Sequence, residues 1–142
     1  MSPSMENYLE TIYDLGQDGQ IARVKDVADK LNVKMSSVTG ALQNLAKNEM
    51  VHYTPYQSIV LTEKGEELAR RIHNRHRVIT SFLTDVLGVQ AEIAETDACK
   101  LEHVLSKETM NRLVSFMLKR NLINFSEKES IGFLETEIKE EK

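Results

Sequence analysis

The chain has 142 residues, one cysteine and a formal net charge of −4. That length suits one substantial core or two small ones sharing an interface. A single cysteine excludes an intrachain disulfide, and with no signal peptide and no apolar run near ~18 residues the expectation is a cytoplasmic chain with no membrane contact. The net acidity argues against nucleic acid until it is mapped. Residues 1–18 carry −4, 19–77 carry +4, 78–126 carry −1 and 127–142 carry −3. The one basic stretch is therefore the place to look for a DNA-reading element.

Taken in chain order, the periodicity is mostly helical. MENYLETIYDLG places Tyr8, Leu9, Ile12, Tyr13 and Leu15 at helical spacing and predicts a helix that ends at Gly16. VKDVADKL puts Val24, Val27, Ala28 and Leu31 on one face, Asn32 and Val33 turn the chain, and MSSVTGALQNLAK repeats the period with Val38, Ala41, Leu42 and Leu45. Two short helices joined by a tight turn form a helix-turn-helix. MVHYT and SIVLT then read as two strands around the tip Pro55-Tyr56-Gln57, a wing. Thr62 and Glu63 start a long helix over 62–87 that Gly88 breaks, and helices follow over 91–105, 108–120 and 127–140. The expected fold is mainly α. A winged helix-turn-helix DNA-binding domain occupies residues 1–75 and an all-helical second domain 76–142, with the long helix as connector.

The second half carries the most chemistry. Cys99, Glu102 and His103 stand at i, i+3 and i+4 of TDACKLEHVLS, so a thiol, a carboxylate and an imidazole share one face of the predicted helix. Taken alone, a lone helical cysteine is more often a small buried hydrophobe. Two further ligand types beside it shift the balance, because a glutamate is rarely buried without a partner. No nucleophile elbow, P-loop or HExxH pattern is present, so an enzyme is not expected.

For DNA, the recognition helix supplies Lys34, Ser36, Ser37, Thr39 and Gln43 at its early and outward positions. Serine and threonine bond phosphates and bases with little selectivity, so base readout is modest. Arg23, Lys25, Lys47 and Lys64 read as phosphate-positioning charges, and Tyr56 at the wing tip as a backbone or minor-groove contact. An ordinary solvated surface is the competing reading for each of them. Val89, Ile93, Leu101, Val104, Leu105, Leu113, Phe116 and Met117 give the second half more apolar surface than a thin domain hides, and a second copy of the chain is the natural sink. Dimerisation also places two recognition helices about 34 Å apart, one turn of DNA. The acidic segment 127–142 sets Ile131, Phe133, Leu134 and Ile138 on a helical spacing that packs back on this domain or its partner.

The order ENYLETIY, helix-turn-helix with wing, LTEKG, NRHR and DACKLEHVLS resembles the diphtheria toxin repressor family of metal-dependent transcriptional regulators, which includes iron-dependent repressors and manganese transport regulators. The resemblance covers about residues 4–120, and its most specific part is the ACxxEH block with the upstream RH. In size the chain is similar to the short members that lack an SH3-like domain. The family implies a homodimer that binds a divalent metal between its domains and then represses metal-uptake genes, with no small organic ligand.

Carried over by position, the resemblance implies a mixed site. Cys99, Glu102 and His103 match the iron-type primary position, Asn7 stands where that type has a thioether and the manganese type a carboxylate, and Glu10 matches a manganese-type ligand. His76 matches a histidine that both types use at a second metal position, and Glu102 is placed to bridge the two ions. Glu95 and Thr80 replace a histidine and a glutamate of the iron-type ancillary site, and Gly40 stands where relatives carry Lys or Gln. A thiolate is soft and carboxylates are hard, so this set favours Fe(II), with Mn(II) next and Zn(II) or Co(II) accepted in vitro. The alternative is a winged-helix regulator not controlled by metal, in which Cys99, Glu102 and His103 are structural.

Overall fold

The computed structural model describes residues 1–19 and 21–124; the helix expected over 127–140 lies outside the described residues. The chain divides into two compact units, Met1–Arg70 and Arg71–Lys142.

In the first unit, helix α1 (Pro3–Gln17) starts with the Ser2 hydroxyl accepting from the Met5 amide and with proline at its first position, where a missing N–H costs nothing. It runs past the expected stop. Gly16 sits inside the helix, and the chain leaves it at Asp18 and Gly19, whose φ is +77°. A glycine weakens a helix by about 1 kcal/mol but ends one only where the backbone turns left-handed. Helix α2 (Val24–Leu31) ends on such a residue, Asn32 (φ 54°). The Val33 and Asn32 amides reach back to the Ala28 and Asp29 carbonyls, which satisfies the helix end and sets the turn into α3 (Met35–Lys47). Lys34 is the N-cap of α3 and so precedes the helix it was expected to join. Leu9 and Ile12 of α1, Val27 of α2 and Val38, Leu42 and Leu45 of α3 are buried and form the core.

The wing is shorter than the sequence suggests. Strand β1 (Val51–His52) pairs antiparallel with β2 (Val60–Leu61), Val51 opposite Leu61 and His52 opposite Val60. Pairing stops there because the Ile59 amide donates to the Ala22 carbonyl ahead of α2 rather than across the hairpin. Helix α4 (Glu63–Ser81) is seated on this hairpin. The Thr62 hydroxyl accepts from the Gly65 amide at 3.0 Å and donates to the Glu49 carbonyl at 2.6 Å. At Gly65 the backbones approach so closely that a Cβ would lie 1.9 Å from the Met50 carbonyl oxygen. Only glycine allows that approach.

Beyond Ser81 the helix widens into a π-helical turn (Phe82–Val86), seen in the Leu87 amide reaching back five residues to the Phe82 carbonyl, and Gly88 (φ 72°) ends it. The second unit adds α5 (Ala91–Leu101) and α6 (Lys107–Lys119), the latter capped by Ser106. Helix α5 stops four residues short of the expected 105, since the chain must turn before Ser106 can cap α6. Val78, Ile79, Ala98, Met110, Val114, Met117 and Ile123 form this unit's core, with Leu101, Leu105, Leu113 and Phe116 packed against it. Phe82 meets Phe116 edge to face at 6.1 Å, and the Arg120 guanidinium covers the other ring contact at 3.8 Å from the Phe116 centroid. Most of the apolar residues that the sequence assigned to a partner are thus used internally. Ile93 and Val104 stay 50% and 69% exposed, alongside exposed Val86 and Leu87. Among the described residues no helix is long and apolar enough to cross a membrane.

Candidate nucleic-acid interface and metal centre

The first unit gathers its candidate DNA contacts on one face. A hollow of about 470 Å³ is lined by Arg23, Val24 and Lys25 before and at the start of α2, Met35, Ser36 and Thr39 on the first turns of α3, and Tyr53, Pro55, Tyr56 and Gln57 of the wing. Five of the ten expected contacts therefore converge: Arg23, Lys25, Ser36, Thr39 and Tyr56. Lys34, Ser37, Gln43, Lys47 and Lys64 are exposed outside this lining. The Thr39 hydroxyl donates to the Met35 carbonyl, which ties it to its own helix. Tyr56 is held out at the wing tip by a left-handed backbone (φ 66°) and is fully exposed. Sequence reasoning missed Met35, an exposed apolar side chain at the first position of α3.

In the second unit, four titratable side chains form a chain of contacts. His76, on α4, places Nε2 2.8 Å from Glu95 Oε1 of α5 and Nδ1 2.8 Å from Glu102 Oε2. The other oxygen of Glu102 lies 3.1 Å from His103 Nε2. Glu102 is 0% exposed. A buried carboxylate carries a large desolvation cost, and two flanking imidazoles offset it. The same proximity holds the His76 imidazolium: the Glu102 carboxylate first, then Glu95, raise its pKa from 6.5 to about 9 against the opposing effect of burial.

Two sequence readings need correction. Cys99, Glu102 and His103 do not all lie within one helix: α5 ends at Leu101, Glu102 is its C-cap with helical backbone and an amide that donates to the Ala98 carbonyl at 3.0 Å, and His103 lies in the following turn. Cys99 is exposed, and its sulfur falls instead with His76 and Glu95, the three ligand atoms all within 4.8 Å of one another. Glu95 was read as the residue that spoils an ancillary site, yet it is drawn into this cluster. The signal was present: Glu95 and Cys99 stand at i and i+4 of one helix, hence on one face. In the first unit, Asn7 is exposed on α1 and Glu10, one turn on, is buried. An imidazole, a thiol and a carboxylate at this spacing suit a divalent ion of borderline softness.

A winged helix-turn-helix with a basic, apolar-lined face, followed by a helical unit that concentrates histidine, carboxylate and thiol groups, defines a DNA-binding regulator with side chains able to ligate a metal. Residues 1–59 match the model of the iron dependent repressor N-terminal DNA binding domain, and residues 62–121 that of the iron dependent repressor metal binding and dimerisation domain. An uncharacterized HTH-type transcriptional regulator of Methanocaldococcus jannaschii is 42% identical over 120 residues, 84% of this chain and 96% of that one. The HTH-type transcriptional regulator MntR of Listeria monocytogenes is 40% identical over 112 residues, 79% of this chain and 78% of that protein. Among solved structures, the manganese regulator SloR superposes with a TM-score of 0.71 at 30% identity, covering 83% of this chain and 55% of that one, so the chain spans about half of that structure's length. The chain belongs to the diphtheria toxin repressor family of metal-dependent transcriptional regulators. It is a DNA-binding regulator and not an enzyme.

Proposed function

We propose that the protein represses metal-uptake genes in the cytoplasm, gripping operator DNA as a homodimer when loaded with a divalent metal, Fe(II) in preference to Mn(II). The observation that carries this reading is the fully buried Glu102 carboxylate held between His76 and His103, with the Cys99 thiol on the far side of His76. A carboxylate and imidazoles gathered in this way form a donor set that a divalent ion can take over from the proton. Cys99, Glu102, His103 and His76 would hold the ion from the second unit, and the family resemblance adds Asn7 and Glu10 of α1. A bound divalent ion supplies fixed positive charge to these donors. The thiolate of Cys99 tilts the set from Mn(II) toward Fe(II), and Zn(II) or Co(II) satisfies the same donors in vitro.

Donors that come from α1 and from α4 and α5 restrict the relative motion of those helices when they ligate together. A dimer restricted in this way holds its recognition helices near the spacing of successive major grooves and pays less ordering entropy on DNA. Arg23 and Lys25 then position the backbone, and Ser36 and Thr39 face the bases. Exposed Ile93 and Val104 supply apolar area for the second copy. The Listeria relative and SloR, a manganese regulator by title, support the regulatory reading.

Operator binding titrated anaerobically with Fe(II), Mn(II), Zn(II) and Co(II) tests this. Metal is expected to tighten binding 5- to 150-fold, the range of a typical coupling of about 1–3 kcal/mol, and His103→Ala or Glu102→Ala to abolish the response in a still-folded protein. Operator affinity indifferent to every ion would leave a winged-helix regulator whose Cys99, Glu102 and His103 are structural.

A further inference from the structure

We infer that Met35 makes the DNA face of the first unit selective, reading the C5-methyl group of a thymine in the major groove. The inference deepens the DNA-binding function proposed above and rests on it, in that a duplex must occupy this face.

A single apolar side chain on a protein surface is ordinary, so the surroundings of Met35 decide the matter. Among the described residues it is the one large apolar side chain of α3 left exposed, at 53%, while Val38, Ala41, Leu42 and Leu45 of the same helix are buried. Its neighbours in the hollow include Arg23, Lys25, Ser36 and Thr39, cations and hydroxyls suited to phosphates and base edges. Methionine offers them neither charge nor proton. The one apolar group that a base pair presents in the major groove is the thymine methyl, and Val24 and Pro55 in the same hollow help to keep it out of water. Position agrees with this chemistry. Met35 is the first residue of α3, and the N-terminal end of a recognition helix is the end that meets base edges. The N-cap before it is Lys34, a cation where a capping aspartate would repel phosphate.

The rest of the exposed face of α3 discriminates little at this end. Gly40, one turn after Ser36, presents no side chain, and a Cβ there would meet nothing within 4 Å, so no neighbour fills the gap. The Thr39 hydroxyl donates its proton to the Met35 carbonyl at 3.1 Å and keeps only lone pairs for DNA. Ser36 and Ser37 bond bases and phosphates alike. Gln43, which can pair with adenine, stands two turns beyond Met35 and outside the hollow, and so reads a different base pair.

The test uses the full chain and duplexes that it selects from a randomised DNA pool in the presence of Mn(II), remade with uracil in place of thymine at one position at a time. Uracil pairs as thymine does and lacks only the methyl. At the position read by Met35 the replacement is expected to weaken wild-type binding about 4-fold, the worth of burying one methyl group. Met35→Ala is expected to bind the thymine duplex more weakly and to ignore that replacement, whereas Met35→Leu keeps the wild-type response. Met35 is exposed, so both variants retain the core, and circular dichroism verifies the fold. A wild type indifferent to uracil at every position, or a Met35→Ala variant that loses as much as the wild type from the same replacement, would overturn the inference. A chain that selects no duplex would overturn it together with the DNA-binding function. Metal control is read separately, by repeating the binding without Mn(II): affinity that ignores the ion removes the metal response and leaves the methyl result intact.

Discussion

The two units bury opposite kinds of side chain. Met1–Arg70 keeps an apolar core of Leu9, Ile12, Val27, Val38, Leu42 and Leu45 and carries its candidate DNA contacts on the outside, on exposed positions of α2, α3 and the wing. Arg71–Lys142 places a carboxylate, Glu102, at zero exposure and couples it to two histidines. The difference teaches where each function is vulnerable. A surface that reads DNA tolerates exchange of single charges, whereas a buried ionic cluster makes stability, protonation and ligand binding one problem.

The largest expected effect falls on the scaffold of the first unit. Gly65→Ala would place a Cβ 1.9 Å from the Met50 carbonyl, and because that atom is backbone the hairpin must move away from α4. A loss of about 3 kcal/mol is expected, of the order of severe overpacking, and a urea midpoint unchanged from wild type would mean that the seat of α4 on the wing is looser than described.

The next effect belongs to the second unit and depends on pH. His76 in the folded protein has a pKa raised from 6.5 to about 9, so the imidazolium stabilises the fold fully below about pH 6.5 and that contribution is lost as pH rises toward 9. Metal-free protein held in chelator should therefore lose on the order of 1–3 kcal/mol of stability over this window relative to Glu102→Gln, which removes the carboxylate charge that holds the His76 proton. Denaturation of both proteins at pH 6.5 and 9 checks it. Parallel curves would show that Glu102 does not hold the His76 proton, and the contrast between the units would weaken accordingly.

The smallest effect is on the DNA face. Arg23→Ala is expected to reduce operator affinity similarly for all sequences and to lower the salt slope by about 1, the signature of one phosphate contact, with no change in stability. A sequence-dependent loss would instead move Arg23 from positioning to base readout. That result would sharpen the comparison by making the exposed face as specific as the buried cluster.

The helices were legible because their apolar period is local. Helix α2 spans the residues that its pattern implied, and Asn32 ends it by a left-handed turn that few other side chains accept. The wing was legible as a hairpin but not in length, since the Ile59 amide chose the Ala22 carbonyl, a partner 37 positions away that no local pattern announces. Gly16 misled because glycine is permissive in a helix as well as after it, and Gly19 took the stop.

By itself the sequence determined the helical periods, the ligand-type residues and the basic stretch between residues 19 and 77, all of which are properties of short windows. Tertiary structure alone decided which ligands meet. Helix α5 ends at Leu101 because the turn toward α6 must begin there, which moves His103 off the helix and leaves Cys99 with Glu95. His76 comes from α4, 19 residues before Glu95, and only the packing of α4 against the core it shares with Ala98 and Val114 brings its ring between two carboxylates. Distance along the chain carries no information about such contacts until the core that enforces them has formed.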